Sequence, residues 1–358
     1  MKVAVHYKGL EIDPDGNVAG HDAGDTLVRR LVRLFPGIQL IGPRTQSYPD
    51  FDMTTLEAIK GEDTVVINMD VIESVRIWRV LRKSTENPKI MNFMWRDSRR
   101  YETEVETAAL SLSCALFPTF TNSERMSVAI ADTVRRWTVR PLAERAQISG
   151  ANLGIRWDHV QPRQEPEVPV VLYPAIYMSP RKHPELFFEI VSHVARRTPI
   201  MVEARLAEAH LITEPAMNLG RQRWARVRPL VPRRSDYWEA LSRTTAFVAT
   251  SDDESYGLEY VEALVAGAIG IFPDMEWARA IVPEGYPFFY KTPFEAEEML
   301  YRAVTDTDAC RKELDDCAGG SFSTWLHDHH NDSNFESAIA EHVIRWFGPV
   351  EVADLPKD

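Results

Sequence analysis

The chain has 358 residues, 44% hydrophobic and 26% charged, the proportions of a soluble globular protein long enough for two domains. Its 41 basic and 53 acidic side chains leave a formal charge of -12, which argues against a surface coated by nucleic acid. No apolar run approaches membrane-spanning length. The N-terminus opens directly on a strand pattern, so no signal peptide is expected. Cys114, Cys310 and Cys317 form no Cys-x-x-Cys pair and fit a reducing, cytoplasmic compartment.

Lys2 to Tyr7 reads as a first strand. A glycine-bearing loop follows, with Gly16, Gly20 and Gly24, and then an amphipathic helix over 25–34. Such a loop between strand and helix is where doubly wound folds bring backbone close to a ligand; a plain flexible loop is the alternative. Further strands are expected at 38–41, 64–69, 89–95 and 114–121, with helices at 53–60, 71–83 and 101–113. Strands alternating with helices imply a parallel sheet. Residues 76–100 carry eight basic side chains interleaved with Trp78, Phe93 and Trp95. That is either a polyanion-binding surface or a solvated helix face with its aromatics in the core. A second basic set runs from Arg221 to Arg234.

Pro162, Pro166 and Pro169 mark a linker, and the boundary is placed at 162/163. The second domain then spans 163–330. Val168 to Ala175 opens it as a strand, followed by Ser179-Pro180-Arg181-Lys182-His183-Pro184 and a helix over 185–197. A lysine at a strand-to-helix loop suits a diphosphate, and an arginine beside it can fork two oxygens. Val227 to Val231 reads as a strand, then a helix over 236–242 capped by Ser235. His327, His329 and His330 have no familiar ligand spacing and read as polar loop. Ser333 and Glu336 form a capping-box pattern for a last helix, with Phe335, Ile339, Val343 and Trp346 on one face; 331–358 forms a third segment.

The densest signal runs from Thr245 to Pro273: strand, polar loop, helix, turn and strand. Glu254 lies just before the helix and Glu262 one turn inside it, on the face of Leu258. The free N–H groups of a helix N-terminus suit an anion or a polyol, and two carboxylates around it can hold sugar hydroxyls.

Glu254, Tyr256, Gly257, Leu258, Glu262, Ala263 and Gly267 together resemble the Glu-x7-Glu signature of retaining GT-B glycosyltransferases. The resemblance implies an α/β GT-B fold: two Rossmann-like, doubly wound parallel-sheet domains facing a central cleft. Residues 1–162 would be the acceptor side and the last helix would cross back onto them. The donor, a UDP- or GDP-sugar, would be held by Arg181, Lys182, Glu254, Tyr256, Gly257, Leu258 and Glu262, with Glu262 on the ribose. In the family's Gly-Arg slot this chain has Ile176-Tyr177, and Arg181 stands in for that arginine. Gly20, His21 and Asp22 would face the acceptor. The family's catalytic histidine has no clear equivalent after Trp95; by position Asp97 is the candidate, beside Glu254 as the second catalytic residue. The implied activity is metal-independent hexosyl or pentosyl transfer to a hydroxyl, with no cofactor beyond the donor. The acceptor is open, a modified base in nucleic acid included. A nucleotide-sugar binder without transferase activity and a sugar-nucleotide epimerase are the alternatives.

Overall fold

The computed structural model describes residues 1–20, 23–96, 101, 103–231 and 233–354. The chain forms two compact units, Met1–Leu153 with Ser333–Asp358, and Gly154–Asp332. Among the described residues no helix is long and apolar enough to cross a membrane.

The first unit holds β1 (Lys2–His6), β2 (Gln39–Ile41), β3 (Gln46–Ser47), β4 (Asp52–Thr54), β5 (Thr64–Asn68), β6 (Lys89–Met94), β7 (Thr119–Thr121) and β8 (Ile148–Gly150). They lie in one sheet in the order β3-β4-β2-β1-β5-β6-β7-β8, parallel throughout except for the edge pair of β3 and β4. β5 is buried at every position, as a parallel strand covered on both faces must be. The chain leaves β1 toward β2 and later returns to β5 on the other side, so strand order reverses between β1 and β5. There His6 pairs with Asn68.

Apolar spacing explains the helix Ala23–Leu34, which buries Leu27, Leu31 and Leu34. Elsewhere tertiary context shifts the sequence expectation. The helix expected over 53–60 is the strand β4 followed by a short 3-10 turn, Leu56–Ala58. The strand expected over 114–121 begins only at Thr119, because the preceding helix runs from Glu104 to Leu116. Thr103 and Glu106 cap that helix reciprocally, a box that the sequence reading passed over. It also passed over the helix Glu124–Trp137, capped by Ser123.

The final helix, Asp332–Phe347, belongs to the first unit from Ser333 onward. It starts at Asp332, one residue before Ser333. Phe335 is 1% exposed and packs 6.0 Å from Phe93 and 5.8 Å from Phe120, ring centre to ring centre. Arg33 pairs with Glu336 on the same helix, and the chain beyond it is tied back by Ala353 N–H to the Leu34 carbonyl.

The second unit holds β9 (Val170–Tyr173), β10 (Met201–Leu206), β11 (Ala225–Pro229), β12 (Ala246–Val248), β13 (Ile269–Pro273) and β14 (Phe289–Tyr290), all parallel, in the order β11-β10-β9-β12-β13-β14. β10 has a clean inside–outside alternation and was not expected from sequence; its Glu203 and Arg205 masked the apolar positions. The helix expected over 236–242 starts at Arg234 and has Arg233, not Ser235, as its N-cap residue, with no side-chain cap bond. The three histidines expected in a loop lie on the helix Phe322–His330. In this unit Phe247, Tyr260, Phe272, Trp277 and Tyr286 form a continuous aromatic core.

Truncating Phe335 empties a site lined by two other rings. Phe335→Ala is expected to cost the first unit about 3–5 kcal/mol, read as a lower urea midpoint. An unchanged midpoint would mean that the last helix adds nothing to this core.

Candidate donor site at the strand-order reversal of the second unit

In the second unit strand order reverses between β9 and β12. Open parallel sheets bind ligands beyond the carboxyl ends of the strands at such a point. The loops that follow these two strands cover residues 174–183 and 249–257, and they carry most of the residues expected to hold a donor.

The two loops are laced together. Thr250 Oγ1 donates to the Lys182 carbonyl at 2.5 Å, and Asp252 N–H to the Arg181 carbonyl at 3.1 Å. His183 Nε2 meets Asp252 Oδ1 at 2.6 Å. His183 has φ 42°, the one non-glycine residue with positive φ among the described residues. The turn Pro180–Lys182 ends on it, and Pro184 starts the next helix immediately after. Strain of this kind persists only where surrounding contacts hold it.

Lys182 Nζ lies 2.5 Å from Glu254 Oε1, with both side chains about 15% exposed, at 15% and 16%. The ammonium also sits 5.2 Å over the Tyr260 ring, whose hydroxyl donates to Glu254 at 3.3 Å. Burial works against the charge on Lys182, but Glu254 and then Glu259 outweigh it and hold the ammonium above its ordinary range. Burial pushes the Glu259 carboxyl up; Lys182 opposes the shift and Glu254 adds to it. Glu259, absent from the sequence reading, is therefore a third acid in the cluster.

Gly257 precedes the helix Leu258–Val265 with φ 83°, and an added Cβ would lie 3.0 Å from Tyr260. A left-handed residue turns the chain so that the helix entrance follows directly on Glu254. One turn in, Glu262 is 3% exposed. One of its oxygens pairs with Arg234 and the other accepts from the Tyr237 hydroxyl at 2.6 Å. Burial, then the Glu262 charge, push the Tyr237 phenol well above its usual range. Arg234 is itself stacked, 4.7 Å from the Tyr237 ring and 5.6 Å from that of Trp238. Neither Arg234 nor Tyr237 was legible as a site residue: both lie more than twenty positions from Glu262, on another helix.

Tyr256 is turned inward, 4% exposed. Its hydroxyl accepts from Gly154 N–H at 3.1 Å and meets His330 Nδ1 at 2.8 Å, while His330 Nε2 lies 3.1 Å from the Ile281 carbonyl. Since a carbonyl only accepts, Nε2 carries the hydrogen, Nδ1 accepts, and Tyr256 donates. Burial lowers the His330 pKa to about 4. Tyr256 thus anchors the loop from below, a positioning role.

Arg181 is half-buried beside Lys182. In the Ile176-Tyr177 segment both carbonyls are engaged, by Ala207 N–H at 2.9 Å and the Tyr173 hydroxyl at 3.1 Å, and the Tyr177 ring stands edge-on to His210. In the first unit Gly20 lies against Asp25, where a Cβ would come within 1.9 Å of the carboxylate, and its carbonyl accepts from Arg29. His21, Asp22 and Asp97 fall outside the described residues. The aromatics of the first basic stretch divide: Phe93 and Trp95 are core, Trp78 is half-exposed. In the second stretch Arg226 and Arg228 are exposed on β11, an edge strand, a placement that also discourages edge pairing. Among the described residues no group of three or more His, Cys, Asp or Glu side chains is placed to hold a metal.

Three outcomes are expected from this geometry. Glu254→Ala leaves the Lys182 ammonium buried without its partner and costs about 3–5 kcal/mol in denaturant unfolding. Tyr237→Phe withdraws one hydrogen bond from a buried carboxylate and costs about 1.5–3 kcal/mol by the same measurement. The neutral His330 has a folded pKa of about 4, below its unfolded value. Its contribution is therefore complete above about pH 6.5 and is lost as pH falls toward 4. The drop in melting temperature between pH 7 and pH 4.5 should shrink in His330→Gln; an equal drop in both proteins would remove His330 from the acid response.

No family model and no curated protein matches the chain. Solved structures do, over nearly its whole length. Sucrose-phosphate synthase from Thermosynechococcus elongatus superposes with a TM-score of 0.71 at 12% identity, covering 97% of this chain and 99% of that one. Trehalose 6-phosphate synthase from Burkholderia multivorans gives 0.66 at 10% identity, with 96% of each chain covered. HepE from Anabaena, solved with UDP-glucose, gives 0.64 at 12% identity, covering 96% and 100%. At this identity the likeness is one of fold: the chain has the α/β architecture of two parallel-sheet domains, GT-B, that these glycosyltransferases share.

Proposed function

We propose that the protein is a glycosyltransferase that takes a sugar from a nucleotide sugar and passes it to a hydroxyl. The observation that carries this reading is the Lys182–Glu254 pair at the helix entrance of the second unit, with Glu262 one turn below it. Cation and acid satisfy one another. A nucleotide sugar brings both complements at once: its diphosphate takes Lys182 and Arg181, and its sugar hydroxyls take Glu254. Glu262, already held by Arg234 and Tyr237, keeps lone pairs for ribose hydroxyls. UDP- and GDP-sugars are the proposed donors.

Glycosyl transfer builds positive charge on the sugar and negative charge on the departing phosphate. Lys182, Arg181 and the N–H groups at the helix entrance oppose the second, and Glu254 the first, without need of a metal ion. Retention at the anomeric carbon follows the resemblance of the motif. A second reading, a nucleotide-sugar binder that does not transfer, draws on Ile176-Tyr177 where related enzymes carry a glycine and an arginine.

A thermal-shift screen of nucleotide sugars tests both. A ligand at a hundred times its Kd stabilises the native state by about 2.7 kcal/mol, a rise of several degrees, and Lys182→Met should abolish it. If no nucleotide sugar raises the melting temperature, the reading fails. Stabilisation without consumption of the donor, with sugars, lipids and nucleic acid offered as acceptors, selects the binder; isomerisation of the donor selects an epimerase. Retention on heparin with a steep salt dependence would favour a nucleic-acid acceptor.

A further inference from the structure

The first unit contains a pocket of about 310 Å³ beyond the carboxyl ends of β1, β2 and β4, with His6 in its wall. His6 is the last residue of β1, beside the reversal of strand order, and is 7% exposed. A buried polar chain starts from it. His6 Nδ1 lies 2.8 Å from Asn68 Oδ1; Asn68 Nδ2 donates to Ser74 Oγ at 2.7 Å; Ser74 Oγ lies 2.5 Å from Asn92 Oδ1. Asn92 Nδ2 reaches Ser113 Oγ at 3.3 Å and Thr119 Oγ1 at 3.2 Å.

The hydrogens in this chain have only one consistent arrangement. Ser113 and Thr119 donate to the carbonyls of Val71 at 2.6 Å and Phe117 at 3.1 Å, so Asn92 must turn its amide nitrogen to them and its oxygen to Ser74. Ser74 then donates to Asn92 and accepts from Asn68. Asn68 Oδ1 also accepts from Asp70 N–H at 3.1 Å, so it faces His6 as an acceptor. His6 Nδ1 therefore carries the hydrogen, and in the neutral ring Nε2 is left as a bare acceptor. Among the described residues no hydrogen bond is made to Nε2. Five buried polar side chains thus set the tautomer of one histidine at a pocket wall. A fully satisfied buried network is costly to assemble and rigid once formed.

We propose that this pocket binds a small neutral polyhydroxylated ligand of monosaccharide or cyclitol size, one of whose hydroxyls donates to His6 Nε2. The charges on the walls argue for neutrality: Lys8 and Arg76 are both tied to Glu73, and Glu57 adds a further negative charge. The remaining wall, with Leu10, Ile41, Met53 and Leu56, suits the C–H faces of such a ring. That this ligand is the acceptor of a transferred sugar rests on the proposed function; its binding does not.

The test is isothermal titration of the full chain with glucose, fructose and myo-inositol, and with glucose 6-phosphate and inorganic phosphate as charged probes. His6→Asn keeps a donor where Nδ1 stood and deletes the acceptor in the pocket; His6→Gln places an amide oxygen where Nε2 stood. At least one neutral probe should bind, about tenfold more weakly to His6→Asn at unchanged melting temperature, with His6→Gln close to wild type. If His6→Asn lowers the melting temperature, the His6 ring-nitrogen chemical shifts of the wild-type protein are followed during titration instead, and they should move. Absence of binding by every neutral probe, binding of charged probes alone, wild-type affinity in His6→Asn, or unmoved ring shifts would each overturn the proposal. Monosaccharide binding that survives when no nucleotide sugar stabilises the protein would sink glycosyl transfer and leave this site standing. A donor shift without monosaccharide binding would do the reverse.

Discussion

The contact between Lys182 and Glu254 is the constraint on which the candidate site of the second unit depends. It joins the loop after β9 to the loop after β12, the two strands between which the sheet order reverses. A mostly buried ion pair is a poor source of net stability, since desolvating both charges offsets most of their attraction. Its value lies in what it forbids. Neither loop can move off without leaving a charge in a low-dielectric place. The bonds from the Thr250 hydroxyl and the Asp252 N–H to the opposite loop, and the left-handed His183, lie beside this pair.

The acids of the helix entrance differ in environment. Glu254 faces the Lys182 ammonium. Glu262 is packed under a stacked arginine and a phenol, so it is oriented before any ligand arrives. Glu259 lies among them, its carboxyl pushed up by burial. Beneath the loop, the hydrogen bonds from Gly154 through Tyr256 to His330 and Ile281 run in one direction only. The aromatic of the motif thus anchors the loop through its inward hydroxyl.

Both units solve the same problem at the same place. A reversal of strand order opens a crevice that no side chain on a regular strand can fill, and each unit lines it with polar groups held by buried partners. In the second unit the partners are charged. In the first they are neutral amides and hydroxyls that converge on His6.

The sequence by itself determined the alternation of strands and helices, the glycine before the helix and the register of Glu254 and Glu262, because periodicity and local turn chemistry act over a few residues. Strand edges and short helices were less legible. β4 was masked by helical spacing in Asp52–Thr54, and β10 by the charges on its outer face. Tertiary structure alone decided which cation meets which acid, that His330 is buried while His327 and His329 are not, and that His6 ends a chain of six polar side chains. The Lys182–Glu254, Tyr237–Glu262 and Tyr256–His330 pairings join residues 25 to 74 positions apart in different elements. Nothing in a local pattern encodes them, because they exist only once the sheet has brought its strand ends together.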